Sequence, residues 1–153
     1  MLKVLFVCTG NTCRSPMAEH ILRKKATEQN LEIETKSAGI FAAVGEPYSS
    51  NTLEIINNLV TDKTKLANYP LTSKRTTTEL LEWADLILTM TEMHKHYLTN
   101  MYPEYTNKIM TLKEESIDIT DPFGGNLRTY EEIAREINEA IDLFLEKYLA
   151  DNQ

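Results

Sequence analysis

Cysteine is scarce in this chain: only Cys8 and Cys13 occur in 153 residues. The three histidines, His20, His94 and His96, have no ligand-like spacing relative to them. A structural zinc normally takes four thiolate or imidazole ligands, so no metal or other cofactor is expected. His94 and His96 lie two apart, point in different directions on a helix, and are expected at the surface. Long apolar runs are also absent. No segment approaches the length needed to span a bilayer. The run LKVLFV near the start is too short for a signal sequence, with no basic stretch before it and no cleavage site after it. A cytoplasmic protein with reduced thiols is expected. Positive charge is in deficit, with 16 Lys and Arg against 23 Asp and Glu. A general nucleic-acid binder needs a basic face to displace counterions, so that class is set aside. A local anion site is not, because a few backbone N–H groups and one arginine can dominate the field inside a pocket. Repeats, low-complexity tracts and long linkers are missing too. A domain boundary has nowhere obvious to fall, and residues 1–153 read as one domain of ordinary composition, 42% hydrophobic and 25% charged.

What is present is an alternation. LKVLFV reads as a buried strand by its continuous apolar character. Ser15 then offers a helix N-cap with Pro16 at the first helical position. Met17, Ala18, Ile21, Leu22 and Ala26 follow at helical spacing, with Glu19, Arg23 and Lys24 outside the stripe. LEIETKSAG is a second strand ending at Gly39, and a helix around Asn51 to Leu59 carries Leu53, Ile56 and Leu59. TTTELLEWADLILTM gives a helix and then a strand at Asp85 to Met90. TEMHKHYL is helical and NKIMTL a short buried strand. The last helix is the clearest, with Ile133, Ile137, Ala140, Ile141, Phe144, Leu145 and Tyr148 in helical period. Strands alternating with helices imply an α/β fold, a four-stranded parallel sheet doubly wound with helices on both faces and the first strand central. In such folds the ligand site lies beyond the carboxyl ends of the strands, near the switch point. The stretch CTGNTCRSP, Cys8 to Pro16, falls there.

Cys8 to Arg14 reads as a cradle. Gly10 permits close backbone approach, and Asn11 is among the few residues that tolerate a left-handed conformation. Successive N–H groups of Thr9, Gly10, Asn11, Thr12 and Cys13 can then point inward as an anion-binding nest. The loop runs into a helix N-terminus, whose dipole adds positive charge. Arg14 can supply two parallel donors to a phosphate. The same field favours a thiolate at Cys8, an activated nucleophile set under a bound dianion. Charge on the equatorial oxygens of the transition state falls where the nest and Arg14 aim.

The pattern C-x5-R-S after a central strand is specific. VCTGNTCRSP closely resembles the nucleophile loop of the low-molecular-weight protein-tyrosine-phosphatases, and DPFGG at Asp121 to Gly125 resembles their acid loop. SAG and ADLILTM are similar as well, so the resemblance spans nearly the whole chain. It implies a flavodoxin-like sheet, a metal-free phosphatase and phosphorylated proteins as substrates, with a monomer expected. It also implies Asp121 as general acid and then base, with Pro122 restricting the backbone before it. Asp118, with no proline to hold it, is the second candidate. Relatives often carry a mid-chain histidine that braces the loop. Between Leu31 and Met93 there is none, so Ser37 with Asn11 is expected to brace it, while Ser15 helps stabilise the thiolate.

One departure bears on the substrate. Tyrosine-specific members usually carry a bulky aliphatic residue where this chain has Thr12. CTGNTCRS together with DPFGG is more similar to the bacterial protein-arginine-phosphatase branch. A phenyl ring wants an apolar slot with aromatic walls; Phe123 offers one wall and Gly124 leaves the next open. Thr12 Oγ1 can accept a guanidinium N–H, and the Asp121 carboxylate can accept others. A phenol leaves with a pKa of about 10 and a guanidine above about 12, so acid catalysis matters more for arginine. Phosphoarginine is the preferred reading and phosphotyrosine the alternative. An arsenate reductase would need relay cysteines that are absent, a cysteine phosphocarrier would need a lasting phosphocysteine, and a binding module would need neither nucleophile nor acid. Cys13 lies five residues after Cys8 and can capture an oxidised Cys8 as a disulfide; a plain loop filler is the other reading. The segment 57–79 is polar and carries no assigned role, with Lys74 and Arg75 expected as solvated charges.

Overall fold

A computed structural model describes residues 1–60, 63–114 and 117–151. Residues 61 and 62, within the polar segment 57–79, lie outside the described residues. The first apolar run forms β1 (Leu2–Cys8), and its side chains alternate between two cores. Val4, Phe6 and Cys8 enter one, Leu5 and Val7 the other. A strand buried on both faces must be covered by helices on both sides. The remaining strands are β2 (Ile33–Gly39), β3 (Leu86–Thr89) and β4 (Ile109–Thr111). They make a four-stranded, all-parallel sheet in the order β2-β1-β3-β4, the α/β architecture expected from the sequence.

On the Cys8 side pack α1 (Arg14–Glu28), α5 (Leu127–Asp151) and Ile55 from α2 (Ser50–Leu59). On the other side Leu81 of α3 (Thr78–Trp83) and Leu98 of α4 (Glu92–Met101) close the second core. The chain changes side around β1, so the loops after β1 and β3 diverge and leave a crevice at their carboxyl ends. Three helices begin on hydroxyl caps: Ser49 accepts from Thr52 N–H, Thr77 from Leu80 N–H and Thr91 from His94 N–H. Among the described residues no helix is long and apolar enough to cross a membrane.

Three expectations need correction. Helix α1 starts at Arg14, with Cys13 in the capping position and no side-chain cap bond. Ser15 lies inside the first turn because its hydroxyl is drawn to Cys8 Sγ instead; Pro16 is still tolerated there. Glu19, placed outside the apolar stripe, is buried, because Arg23 pairs with it at 2.7 Å and Ser37 donates to it at 2.6 Å. His94, expected at the surface, is 0% exposed, since both of its ring nitrogens have hydroxyl partners; His96 is exposed.

Candidate active site

At the end of β1 the parallel register sets Cys8 opposite Gly39. The loop that follows is laid across β2: Ile40 N–H donates to Cys8 O at 3.0 Å and Phe41 N–H to Thr9 O at 3.0 Å. Further on, Ser49 N–H donates to Thr12 O at 3.1 Å. Gly39 makes this approach possible. A Cβ there would lie 2.5 Å from Thr9 O and 2.9 Å from Asn11 N, both backbone atoms that cannot turn aside. Asn11 adopts the left-handed conformation, φ 55°, and is fully buried. Its Nδ2 donates to Ser15 Oγ at 2.9 Å and to Ser37 Oγ at 3.0 Å, while Oδ1 accepts from Lys74 N–H at 2.8 Å. The Ser37–Asn11 brace expected from the sequence does form. A left-handed loop is thereby tied to β2 and to the strand-like segment beyond it.

Cys8 Sγ is buried, 2.8 Å from Ser15 Oγ, and accepts from Asn11 N–H at 3.3 Å. Because Ser15 Oγ already accepts from Asn11, its own proton is available to the sulfur; the competing acceptor, Ala38 O, is at 3.5 Å. Donors converging on a sulfur suit a nucleophile that carries negative charge. Arg14 is buried beside it, donating through Nη1 to Ile119 O at 3.0 Å. Its Nη2 lies 3.8 Å from Asp121 Oδ2, whose side chain is 59% exposed. Asp121 Oδ1 accepts from Phe123 N–H at 3.0 Å, and Gly124 turns the chain with φ 83°.

The two acidic candidates separate by their partners. Asp118 accepts from Glu92 N–H at 2.8 Å and so caps α4, whereas Asp121 faces Arg14. Thr9, Gly10 and Thr12 are half-buried along the loop, with Thr12 Oγ1 3.6 Å from Cys13 Sγ. Cys13 ends the loop in the capping position of α1. Its side chain is buried, with Sγ 3.3 Å from Tyr130 OH and 3.8 Å from Ser49 Oγ. Both cysteines are free thiols. Phe123 corrects an expectation: at 82% exposed its ring forms no packed wall, because the glycines that follow it offer nothing to pack against.

Several groups escaped the sequence reading. Glu19 ends a chain of hydrogen bonds that runs through Ser37, Asn11 and Ser15 to Cys8. Lys74 is not a solvated charge. It is half-buried, donates to Tyr48 OH at 2.9 Å and to Thr72 O at 2.7 Å, and burial lowers its pKa. Burial raises the Tyr48 phenol, with Glu19 adding to the effect. His20 is held neutral by burial, its pKa lowered to about 4. The phenol of Tyr130 is raised by burial and by its bond to Cys13. A hollow of about 680 Å³ beside α1 is lined by His20, Arg23, Leu59, Leu66 and Tyr69 among others. It holds neither cysteine, and the catalytic candidates lie elsewhere, around Cys8.

The sequence profile of the family described as low molecular weight phosphotyrosine protein phosphatase matches residues 3–153. A protein-arginine-phosphatase from Geobacillus stearothermophilus is 38% identical, covering 95% of both chains. The low molecular weight protein-tyrosine-phosphatase PtpB of Staphylococcus haemolyticus is also 38% identical, over 89% of this chain and 92% of its own. The crystal structure of a YwlE mutant from Bacillus subtilis superposes with a TM-score of 0.83 at 32% identity, covering 97% of this chain and 99% of that one. With a matched profile over nearly its whole length, the chain belongs to the low molecular weight phosphotyrosine protein phosphatase family and is a cysteine-dependent phosphatase.

Proposed function

We propose that the protein hydrolyses phosphoarginine on proteins through a cysteinyl-phosphate. The thiolate of Cys8 attacks phosphorus while the loop amides and the Arg14 guanidinium hold the three non-bridging oxygens. The P–N bond breaks as Asp121 gives its proton to the departing guanidine nitrogen. The Asp121 carboxylate then takes a proton from water, the water oxygen attacks phosphorus, and the P–S bond breaks to release inorganic phosphate and the Cys8 thiolate. Ser15 stabilises the charge that returns to sulfur. Substrates are phosphorylated proteins, met by a monomer in the cytoplasm.

The observation that carries the arginine reading is the hydroxyl of Thr12, half-buried in the loop where an aliphatic side chain would pack on a phenyl ring. A hydroxyl can accept an N–H from a guanidinium, and the exposed Asp121, 3.8 Å from Arg14, can give its proton to the departing nitrogen, which a guanidine needs more than a phenol does. Phosphotyrosine is the second reading, supported by the exposed ring of Phe123 and by a tyrosine-phosphatase relative as similar as an arginine-phosphatase one. The test is hydrolysis of phosphoarginine and phosphotyrosine by one preparation, with Thr12→Ile and Cys8→Ser beside it. The expected result is a phosphoarginine preference that moves toward phosphotyrosine in Thr12→Ile, and no turnover in Cys8→Ser. A native preference for phosphotyrosine refutes the arginine reading and leaves the cysteine mechanism standing.

A further inference from the structure

His94 sits where the two halves of the crevice meet. It belongs to the first turn of α4, and its ring is wholly buried. Nδ1 lies 2.8 Å from Thr91 Oγ1, and Nε2 lies 2.8 Å from Oγ1 of Thr9, the residue directly after Cys8. The protons can be assigned by satisfying each group. Thr91 Oγ1 accepts the His94 backbone N–H at 3.2 Å, which leaves its own proton to donate to Nδ1. The ring then carries its proton on Nε2 and donates to Thr9. Burial, with Arg14 nearby, keeps the ring neutral, its pKa lowered to about 4.

The same helix end holds the acid loop. Asp118 caps it through Glu92 N–H at 2.8 Å, and Ile119 N–H donates to Met90 O at 2.9 Å, just before the helix. Ile119 O in turn accepts from Arg14. The α4 terminus therefore touches the phosphate loop through His94 and the acid loop through Asp118 and Ile119.

We propose that His94 is a positioning residue for hydrolysis: its Nε2–H bond to Thr9 holds the first residue of the phosphate loop in register with the acid loop anchored on the same helix end. It acts through Thr9 and does not touch the reacting atoms. This rests on Cys8 to Arg14 being the catalytic loop and is indifferent to the leaving group. Losing a buried hydrogen bond that leaves its partner unsatisfied, in a site sensitive to displacements on the order of 1 Å, converts to about a 10- to 100-fold loss in turnover.

The test is steady-state kinetics of His94→Ala, Thr9→Val, the double variant, His94→Gln and His94→Asn, each compared with its Tm. The substrate is whichever of phosphoarginine and phosphotyrosine the native protein hydrolyses faster. His94→Ala and Thr9→Val are each expected to lower kcat about 10- to 100-fold with KM within about threefold, and the double variant to lose little more than either alone. Gln places an amide N–H near the position of imidazole Nε2 and is expected to recover most of the turnover. Asn reaches only as far as Nδ1 and is expected not to. Native kcat in Thr9→Val overturns the proposal, as do losses that multiply in the double variant or a fall in Tm with kcat unchanged. If His94→Ala does not fold, Thr9→Val and the contrast between Gln and Asn decide it. A native protein that hydrolyses neither substrate, or a Cys8→Ser variant that still turns over, overturns the function and this proposal together; native turnover with unchanged variants overturns only this one.

Discussion

The Ser15 hydroxyl lies 2.8 Å from Cys8 Sγ, buried, and is itself held by the Asn11 amide at 2.9 Å. The serine that the sequence offered as a helix cap serves the sulfur instead. A hydrogen bond to a charged acceptor contributes about 1.5–3 kcal/mol. Ser15→Ala is expected to lower kcat about 10- to 100-fold with KM little changed. Steady-state kinetics check this, and a native kcat in the variant would show that the bond does not assist the nucleophile.

The two aspartates should behave differently. Asp121→Asn is expected to lower phosphoarginine turnover about 10²- to 10⁴-fold, the usual range for losing a general acid. An aryl phosphate with a low-pKa leaving group, needing less protonation, should lose far less. Asp118→Ala removes the cap on Glu92 N–H and should cost about 0.5–2 kcal/mol of stability, read as a lower urea midpoint. Equal turnover losses for Asp121→Asn on both substrates would assign it another role.

Gly39→Ala tests the closeness of the phosphate loop to β2. With Thr9 O 2.5 Å from the new Cβ, the loop must shift. About 1–3 kcal/mol of stability should be lost, and kcat should fall at least about tenfold, since misplacement on the order of 1 Å is costly to catalysis. A variant with native Tm and native kcat would contradict the geometry.

Acid should destabilise the protein through its two buried histidines. The pKa values of His20 and His94 are lowered from 6.5 to about 4, in each case chiefly by burial. Glu19, Arg23 and Lys74 act on His20, and Arg14, Asp118 and Asp121 act on His94. Between those values the unfolded chain binds protons that the folded chain does not, so stability rises with pH. The contribution is complete above the unfolded value and is lost as pH falls toward 4, up to roughly 3 kcal/mol for each histidine. Urea unfolding at pH 7 and at pH 4.5 measures it, and His94→Gln should flatten the dependence. An unchanged pH dependence in that variant would mean that His94 does not titrate in this window.

Oxidation offers a separate test. Peroxide converts a thiolate to a sulfenic acid, and a second thiol can attack the sulfenic sulfur, forming the S–S bond as the S–O bond breaks and water leaves. With Cys13 as the second thiol, mild peroxide should abolish turnover and produce a Cys8–Cys13 bond, and thiol reductant should restore activity. Mass spectrometry showing sulfinic Cys8 and no such bond would rule this protection out.

The local pattern determined a great deal. The apolar run before Cys8, the C-x5-R-S spacing and the alternation of strand and helix periods report short-range constraints. They were enough for the parallel sheet, the position of the loop at the switch point and Cys8 and Arg14 as candidates; Asp121 was legible only through the resemblance of DPFGG to the family's acid loop. Ser37 with Asn11 was legible through the same resemblance, because this chain lacks the mid-chain histidine that often braces the loop in relatives. The tertiary structure decided what holds those groups. Glu19 reads as a surface charge until Ser37, 18 residues on, donates to it. Lys74 reads as solvated until its backbone meets Asn11, 63 residues away. His94 reads as exposed until Thr9, 85 residues away, supplies its partner. A polar side chain is buried when a partner compensates its lost water, and those partners are supplied by the crossing of the chain over the sheet, which periodicity along the sequence does not encode.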